Sequence, residues 1–250
     1  MKDAYDVTII GGGTAGYIAA IQAARAGTST LLVEKTGMLG GTVTTGGINY
    51  PGLFHAWGKQ VIAGIGWELV LATRELTGEP LPDFTAEGPH WRRHTRVNAA
   101  LFAALLDSAV LDAGADLLLH TMLAGVHRTD NRWQLTLCTK TGLQPIETKL
   151  LIDATGDANA VQLAGFEVLR PDVLQPGTLA MCVGGYELDN LDIPAIERAL
   201  DQAIADGSLK LTDIWWQRDN AVQHFLAGHG KNNNHVPTGP ADSSEGRTAA

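Results

Sequence analysis

The stretch Asp6-Val7-Thr8-Ile9-Ile10-Gly11-Gly12-Gly13-Thr14-Ala15-Gly16, with Leu31-Leu32-Val33-Glu34 beyond it, decides the fold. A short apolar run ends in a glycine turn, an alanine-rich segment follows, and a second apolar run ends in an acid. That order is strand, tight turn, helix, strand. The turn reads G-x-G-x-x-G at Gly11, Gly13 and Gly16. Gly11 suits a sharp turn, Gly13 lets backbone approach a pyrophosphate, and Gly16 lets the helix press on the strand. The N–H groups opening the helix, around Thr14 and Ala15, and its positive dipole end favour phosphate. Glu34 follows the turn by about 20 residues, the spacing at which an acid accepts hydrogen bonds from an adenosine ribose. The pattern predicts a nucleotide cofactor, and phosphate geometry alone leaves NAD and FAD both open.

Working outward, the 250 residues are 45% apolar and 18% charged, a globular composition long enough for one large domain or two smaller ones. A net charge of −9 argues against nucleic acid or an anionic membrane as partner. The apolar run at 7–10 is far too short to span a bilayer, and no signal-peptide pattern precedes it. Only Cys138 and Cys182 occur, without a C-x-x-C, and the expectation is buried thiols in a cytoplasmic protein.

The first helix is expected over about 14–26, with Gly27 beyond its end, and a buried parallel strand over 29–34. The loop 37–47 is rich in glycine and threonine and is expected to bare N–H groups and hydroxyls toward a cofactor. A helix is predicted over 56–77 from Val61, Ile65, Leu69 and Ala72, ending at Gly78 and enclosing Gly64-x-Gly66. The cluster His90-Trp91-Arg92-Arg93-His94-Thr95-Arg96 reads first as a solvated loop, with a carboxylate-binding subsite as the functional alternative. A helix over 98–113, capped by Asn98 and closed by Gly114, precedes a buried strand at Leu117–Leu119.

Segments 122–128, 132–139 and 146–153 then predict an antiparallel meander, the last running into Asp153-Ala154-Thr155-Gly156-Asp157 at a sheet's carboxyl end, where ligands sit. A short helix, 158–164, is closed by Gly165. Beyond it, 175–183 reads as a strand, 194–206 as a helix ending at Gly207, and 228–250 as a tail poor in core residues. His55, His90, His94, His229 and His235 are acid or base candidates by type alone, and the structural role is favoured for each. No metal site is expected.

Together, Asp6–Gly16, Glu34-Lys35, Leu39-Gly40-Gly41-Thr42 and Ala154-Thr155-Gly156-Asp157 resemble the FAD-dependent oxidoreductases of the glutathione-reductase-like fold, in the group related to fumarate-reductase flavoproteins. Gln175-Pro176-x-Thr178-Leu179 and Ser244-Glu245-Gly246-Arg247-Thr248-Ala249 are also similar to that family. The resemblance implies an α/β protein: a Rossmann-like FAD-binding domain over 1–165, with a parallel sheet, an antiparallel β-meander and an insertion at about 49–96. A partial α+β substrate region would occupy 166–250, with the C-terminal return to the FAD domain missing.

It further implies FAD with its pyrophosphate on Gly11, Gly13, Thr14, Ala15 and Gly16, and its adenosine beside Glu34 and Lys35. Gly40, Gly41 and Thr42 would lie near the pyrophosphate and flavin, Leu123 at the adenine, and Ala154, Thr155, Gly156 and Asp157 would close the site. The absence of a cysteine pair after Gly41-Thr42 excludes a disulfide-reductase mechanism, and the absence of histidine at 42–48 implies non-covalent flavin. The expected function is hydride or electron transfer between FAD and a small organic substrate. An NAD(P)-binding reductase and an inactive nucleotide-binding fragment remain the alternatives.

Overall fold

A computed structural model describes residues 2–87, 93–175, 177–215, 217–231, 235–236 and 243–248. His90, Trp91, Arg92, Pro176 and Ala249, singled out above, lie outside the described residues. The chain divides into two compact units, Met1–Leu169 and Arg170–Ala250.

In the first unit, the apolar run folds as β1 (Ala4–Ile10), the turn opens α1 (Thr14–Arg25), and β2 (Thr30–Val33) returns parallel to β1. All four residues of β2 are buried, the mark of a strand covered on both faces. A two-strand hairpin, β3 (His55–Ala56) and β4 (Lys59–Gln60), precedes α2 (Ile65–Thr77) and α3 (Ala99–Asp112). Then come β5 (Asp116–Leu118), β6 (Met122–Arg128), β7 (Trp133–Thr139), β8 (Gly142–Asp153) and α4 (Asn159–Leu163). The strands form one six-stranded sheet in the order β5-β2-β1-β8-β7-β6. The first four run parallel, and β8, β7 and β6 form the antiparallel meander.

The strand β8 joins the two halves. Its first part pairs with β7, from Thr139↔Gly142 to Trp133↔Thr148, and its second part pairs with β1, from Ala4↔Glu147 to Ile10↔Asp153. Leu31 and Val33 of β2 share an apolar cluster with Leu135 and Leu137 of β7, although β1 and β8 stand between them in the sheet. The meander therefore curls over that face. The opposite face carries Val7, Ile9 and Leu32 under Tyr17 and Ile21 of α1 and Phe102 and Leu106 of α3. A helical layer, a sheet and a meander result.

The second unit holds β9 (Gly177–Thr178), β10 (Met181–Cys182), α5 (Ile193–Ala205), α6 (Ala221–Ala227), β11 (Gly230–Lys231), β12 (His235–Val236) and α7 (Ser244–Thr248). The strands β10 and β11 pair antiparallel, as do β12 and β9. Leu200 of α5 packs with Ala221 and Val222 of α6, and Arg218 bridges Glu197 and Asp201.

Several expectations are corrected. Residues 56–64 are not helical, because Gly58 (φ 71°) and Gly64 (φ 84°) take left-handed backbone that a helix cannot contain. Gly64 instead precedes α2, and Val61 is exposed while Leu69, Val70 and Thr73 face inward. The segment at 117–119 is a half-buried edge strand, not a buried one. The last meander strand begins at 142, not 146. Segment 175–183 splits into two two-residue strands. Both cysteines are exposed free thiols, Cys138 because it alternates with the inward Leu135 and Leu137.

Asn98 does cap α3, its Oδ1 accepting from Ala100 and Leu101 N–H at 3.1 Å each. Replacement Asn98→Ala is expected to lower unfolding free energy by about 1 kcal/mol, and Asn98→Gly by a few tenths, in urea denaturation.

Candidate functional site

The glycine turn is a product of close contacts. Gly11 has φ 101°, and a Cβ there would overlap the Ala154 carbonyl. A Cβ on Gly16 would overlap the carbonyl oxygen of Gly11, so α1 can approach the turn only with glycine at 16. Gly12, absent from the expected set, is also crowded, because its Cβ would overlap the buried Leu39 side chain and stand about 3.1–3.2 Å from Glu34 side-chain atoms. Gly13 is the exception: nothing lies within 4 Å of where its Cβ would stand. Its φ of −68° and ψ of −175° are open to any residue. Three glycines serve packing, and the fourth faces free space.

That space adjoins the N-terminus of α1. No side chain caps it, and the Gly13 carbonyl accepts from Tyr17 N–H at 3.1 Å as the helix begins. Thr14 and Ala15 are exposed. The opening N–H groups and the dipole thus meet solvent, an arrangement suited to an anion.

Glu34 leaves β2 and is buried, at 7% exposure. Its Oε2 accepts from Gly12 N–H at 2.7 Å and its Oε1 from Thr36 N–H at 2.7 Å. The carboxylate thereby fixes the turn after β1 to the turn after β2. A carboxylate offers about four lone-pair directions, so two remain for ligand hydroxyls.

The loop Leu39–Val43 closes on the same turn. Gly40 N–H donates to the Gly12 carbonyl at 2.8 Å, and a Cβ on Gly41 would stand 3.0 Å from Gly13 Cα. Gly40 and Gly41 both take positive φ, and Thr44 Oγ1 ties the loop by donating to the Leu39 carbonyl at 2.6 Å. Thr42 is exposed in the middle of a short 3-10 turn, Gly41–Val43.

The third motif arrives beside Gly11, where Ala154 N–H continues the parallel pairing to the Ile10 carbonyl at 2.8 Å. Asp153, not among the expected site residues, organises it. Its carboxylate accepts from Thr155 N–H at 2.9 Å, Thr155 Oγ1 at 2.7 Å and Val161 N–H at 2.9 Å. Partial burial opposes its charge, yet the hydrogen bonds from Thr155, Val161 and Ala160 outweigh that and hold its pKa below the ordinary carboxylate value. Asp157 is exposed beyond Gly156, which has φ 83°.

The structure thus brings Gly11, Gly13, Gly16, Glu34, Gly40, Gly41 and Ala154 together. Lys35 is exposed, and Leu123 lies in β6 at the meander edge of the sheet, two strands beyond β8, half-buried opposite Leu137. Three of the candidate histidines have neighbours among the described residues. His55 stacks on Phe84 at 5.0 Å and His94 on Tyr50 at 4.9 Å, while His229 Nδ1 donates to the Val183 carbonyl at 3.1 Å. Arg93 donates to the Ala86 carbonyl at 3.1 Å. Among the described residues no helix is long and apolar enough to cross a membrane.

Comparison with known proteins adds the following. Residues 6–243 match the family described as FAD dependent oxidoreductase. Over 53 residues the chain is 53% identical to dihydrolipoyl dehydrogenase from Trypanosoma brucei brucei, covering 21% of this chain and 11% of that protein. It is 30% identical over 184 residues to thiamine thiazole synthase from Metallosphaera sedula, 69% of this chain and 62% of that protein. Among solved structures, p-nitrophenol 4-monooxygenase from Pseudomonas putida superposes with a TM-score of 0.48 at 12% identity, over 64% of this chain and 43% of that one. The chain spans less than two thirds of the length of each of these proteins.

Asp153 yields a prediction with a defined pH direction. Folding lowers its pKa below the unfolded value of about 4, so its contribution is complete above that pH and fades as pH falls through the lower folded value. Asp153→Asn, which cannot accept at every donor, is expected to cost about 1–3 kcal/mol at pH 7. In thermal unfolding followed from pH 7 to pH 2, its deficit against wild type narrows toward the acid end.

Proposed function

The chain belongs to the FAD-dependent oxidoreductase family, whose cofactor is FAD, and on that premise we propose that its Met1–Leu169 unit holds FAD non-covalently on the carboxyl edge of β1, β2 and β8. The observation that carries this reading is the uncapped N-terminus of α1 beside the open side of Gly13. A pyrophosphate there receives N–H donors from Thr14, Ala15 and Gly16 and gains from the helix dipole.

The remaining lone pairs of Glu34 accept from ribose hydroxyls, with Lys35 and the Leu123 backbone on the adenosine side. Gly40, Gly41 and Thr42 face the pyrophosphate and flavin, and Ala154, Thr155, Gly156 and Asp157 close the site. The isoalloxazine supplies the hydride or electron chemistry when bound, acting on a small organic substrate. The protein positions the cofactor and, by crowding Gly11, Gly12 and Gly16, keeps the turn rigid beneath it.

Dithiol chemistry is not part of this reading, because the two cysteines stand at 138 and 182, away from the Gly40-Gly41-Thr42 loop in sequence. Two free, exposed thiols support a reducing, cytoplasmic setting.

Gly13 and Gly16 separate binding from folding. Gly13→Ala meets no protein atom, so its thermal unfolding is expected to match wild type while FAD affinity, read by flavin fluorescence titration, falls about tenfold or more as the methyl group blocks the phosphate approach. Wild-type FAD affinity in Gly13→Ala would remove the turn from the site.

A further inference from the structure

We infer that His120 is the wall of the adenosine subsite, its imidazole set in place by Gly37 to contact the purine nucleoside half of the cofactor. This deepens the FAD reading and rests on it.

Three hydrogen bonds extend the β2–β5 pairing past the strand ends. Glu34 N–H donates to the Leu118 carbonyl at 2.8 Å, Thr121 N–H to the Glu34 carbonyl at 3.0 Å, and His120 N–H to the Thr36 carbonyl at 2.9 Å. His120 therefore sits at the carboxyl edge of the parallel sheet, against the turn of the buried acid that would read the ribose. Its backbone is left-handed, with φ 52°, a region that glycine enters without strain and that histidine enters more readily than most side chains. A glycine would be the relaxed choice for so tight a connection, yet this sequence places an aromatic, hydrogen-bonding ring there.

Core packing does not require that ring. His120 is exposed, and its imidazole makes no hydrogen bond to another described residue. It nevertheless lies against backbone. The Cε1–Nε2 edge lies over Gly37, where an added Cβ would come within 2.6 Å of Cε1 and 2.8 Å of Nε2. Gly37 is not in the left-handed region, so its backbone does not demand glycine, and a methyl group there would have to displace the imidazole. A flat ring on the turn that follows Glu34 matches an adenine nucleoside, which stacks on aromatic faces and offers hydrogen-bonding edges.

The test uses the full chain with two probes: FAD by fluorescence titration and ADP, which has no flavin, by calorimetry. His120→Gly relieves the left-handed backbone while deleting the ring. It is expected to unfold at or above the wild-type temperature and yet bind both FAD and ADP about fivefold more weakly or worse. Gly37→Ala, which displaces the ring without altering it, is expected to weaken both probes similarly. In the double variant it adds nothing to His120→Gly, as coupling through one contact requires. Wild-type affinity of His120→Gly for both probes overturns the inference and leaves the FAD reading standing. A full additional loss from Gly37→Ala in the His120→Gly background overturns the interlock. A wild-type chain that binds neither FAD nor ADP overturns the FAD reading and this inference with it.

Discussion

A buried carboxylate lies between two turns: Glu34 takes the Gly12 N–H on one oxygen and the Thr36 N–H on the other, each at 2.7 Å. Hydrogen bonds to a charged acceptor are worth about 1.5–3 kcal/mol each, and leaving a buried donor unmade costs a comparable amount. Removing this acid would orphan two N–H groups at the edge where the proposed pyrophosphate and ribose contacts converge. Gly12 has little room for a side chain, because Leu39 occupies the place of its Cβ and the Glu34 side chain stands close beside it. Gly40 then docks on the Gly12 carbonyl, and Gly41 on Gly13. One carboxylate thus sets the turn, the turn sets the loop, and the loop leaves Gly13 and the start of α1 facing outward.

The rest of the unit holds that edge still. The strand β8 belongs to the meander at its start and to the parallel sheet at its end, and so delivers Ala154 to Gly11 while tying the meander to the sheet. The helical layer covers the other face, with Tyr17 of α1 edge-on to Phe102 of α3 at 6.3 Å between ring centres. Burial on both faces restrains the strand ends, and the groups proposed to face the cofactor ride on those ends. Asp153 repeats at the third motif what Glu34 does at the first. It is a carboxylate that organises N–H groups around itself, which leaves the neighbouring backbone of Thr155 and Gly156 in one conformation.

The β1–α1–β2 unit was legible because each local signal agreed with the next: glycines where carbonyls crowd, a small-residue helix, an acid at the strand end. Asn98 and the closing glycines at 78 and 114 were legible for the same reason. The hairpin before α2 was not, because Val61, Ile65 and Leu69 fall at helical spacing by coincidence, while Gly58 and Gly64 carry the decisive left-handed turns. The early start of β8 was hidden by Pro145, which reads as a breaker. At that position β8 pairs with β7 alone, so the missing N–H can face the unpaired side. The roles of Asp153, Gly12 and His120 depend on neighbours distant in sequence. Only the fold shows that Gly12 shares its Cβ space with residue 34, or that residue 120 lies over residue 37.

The central claim is that this edge binds FAD without a covalent link, and an absorbance spectrum of the purified chain, recorded with added FAD and after heat release, tests it most directly. Flavin bands at about one per chain, released into solution by heating, are the expected result for a cofactor held by hydrogen bonds and a helix dipole. A chain that takes up no flavin, or one whose flavin stays with the denatured protein, would contradict the account.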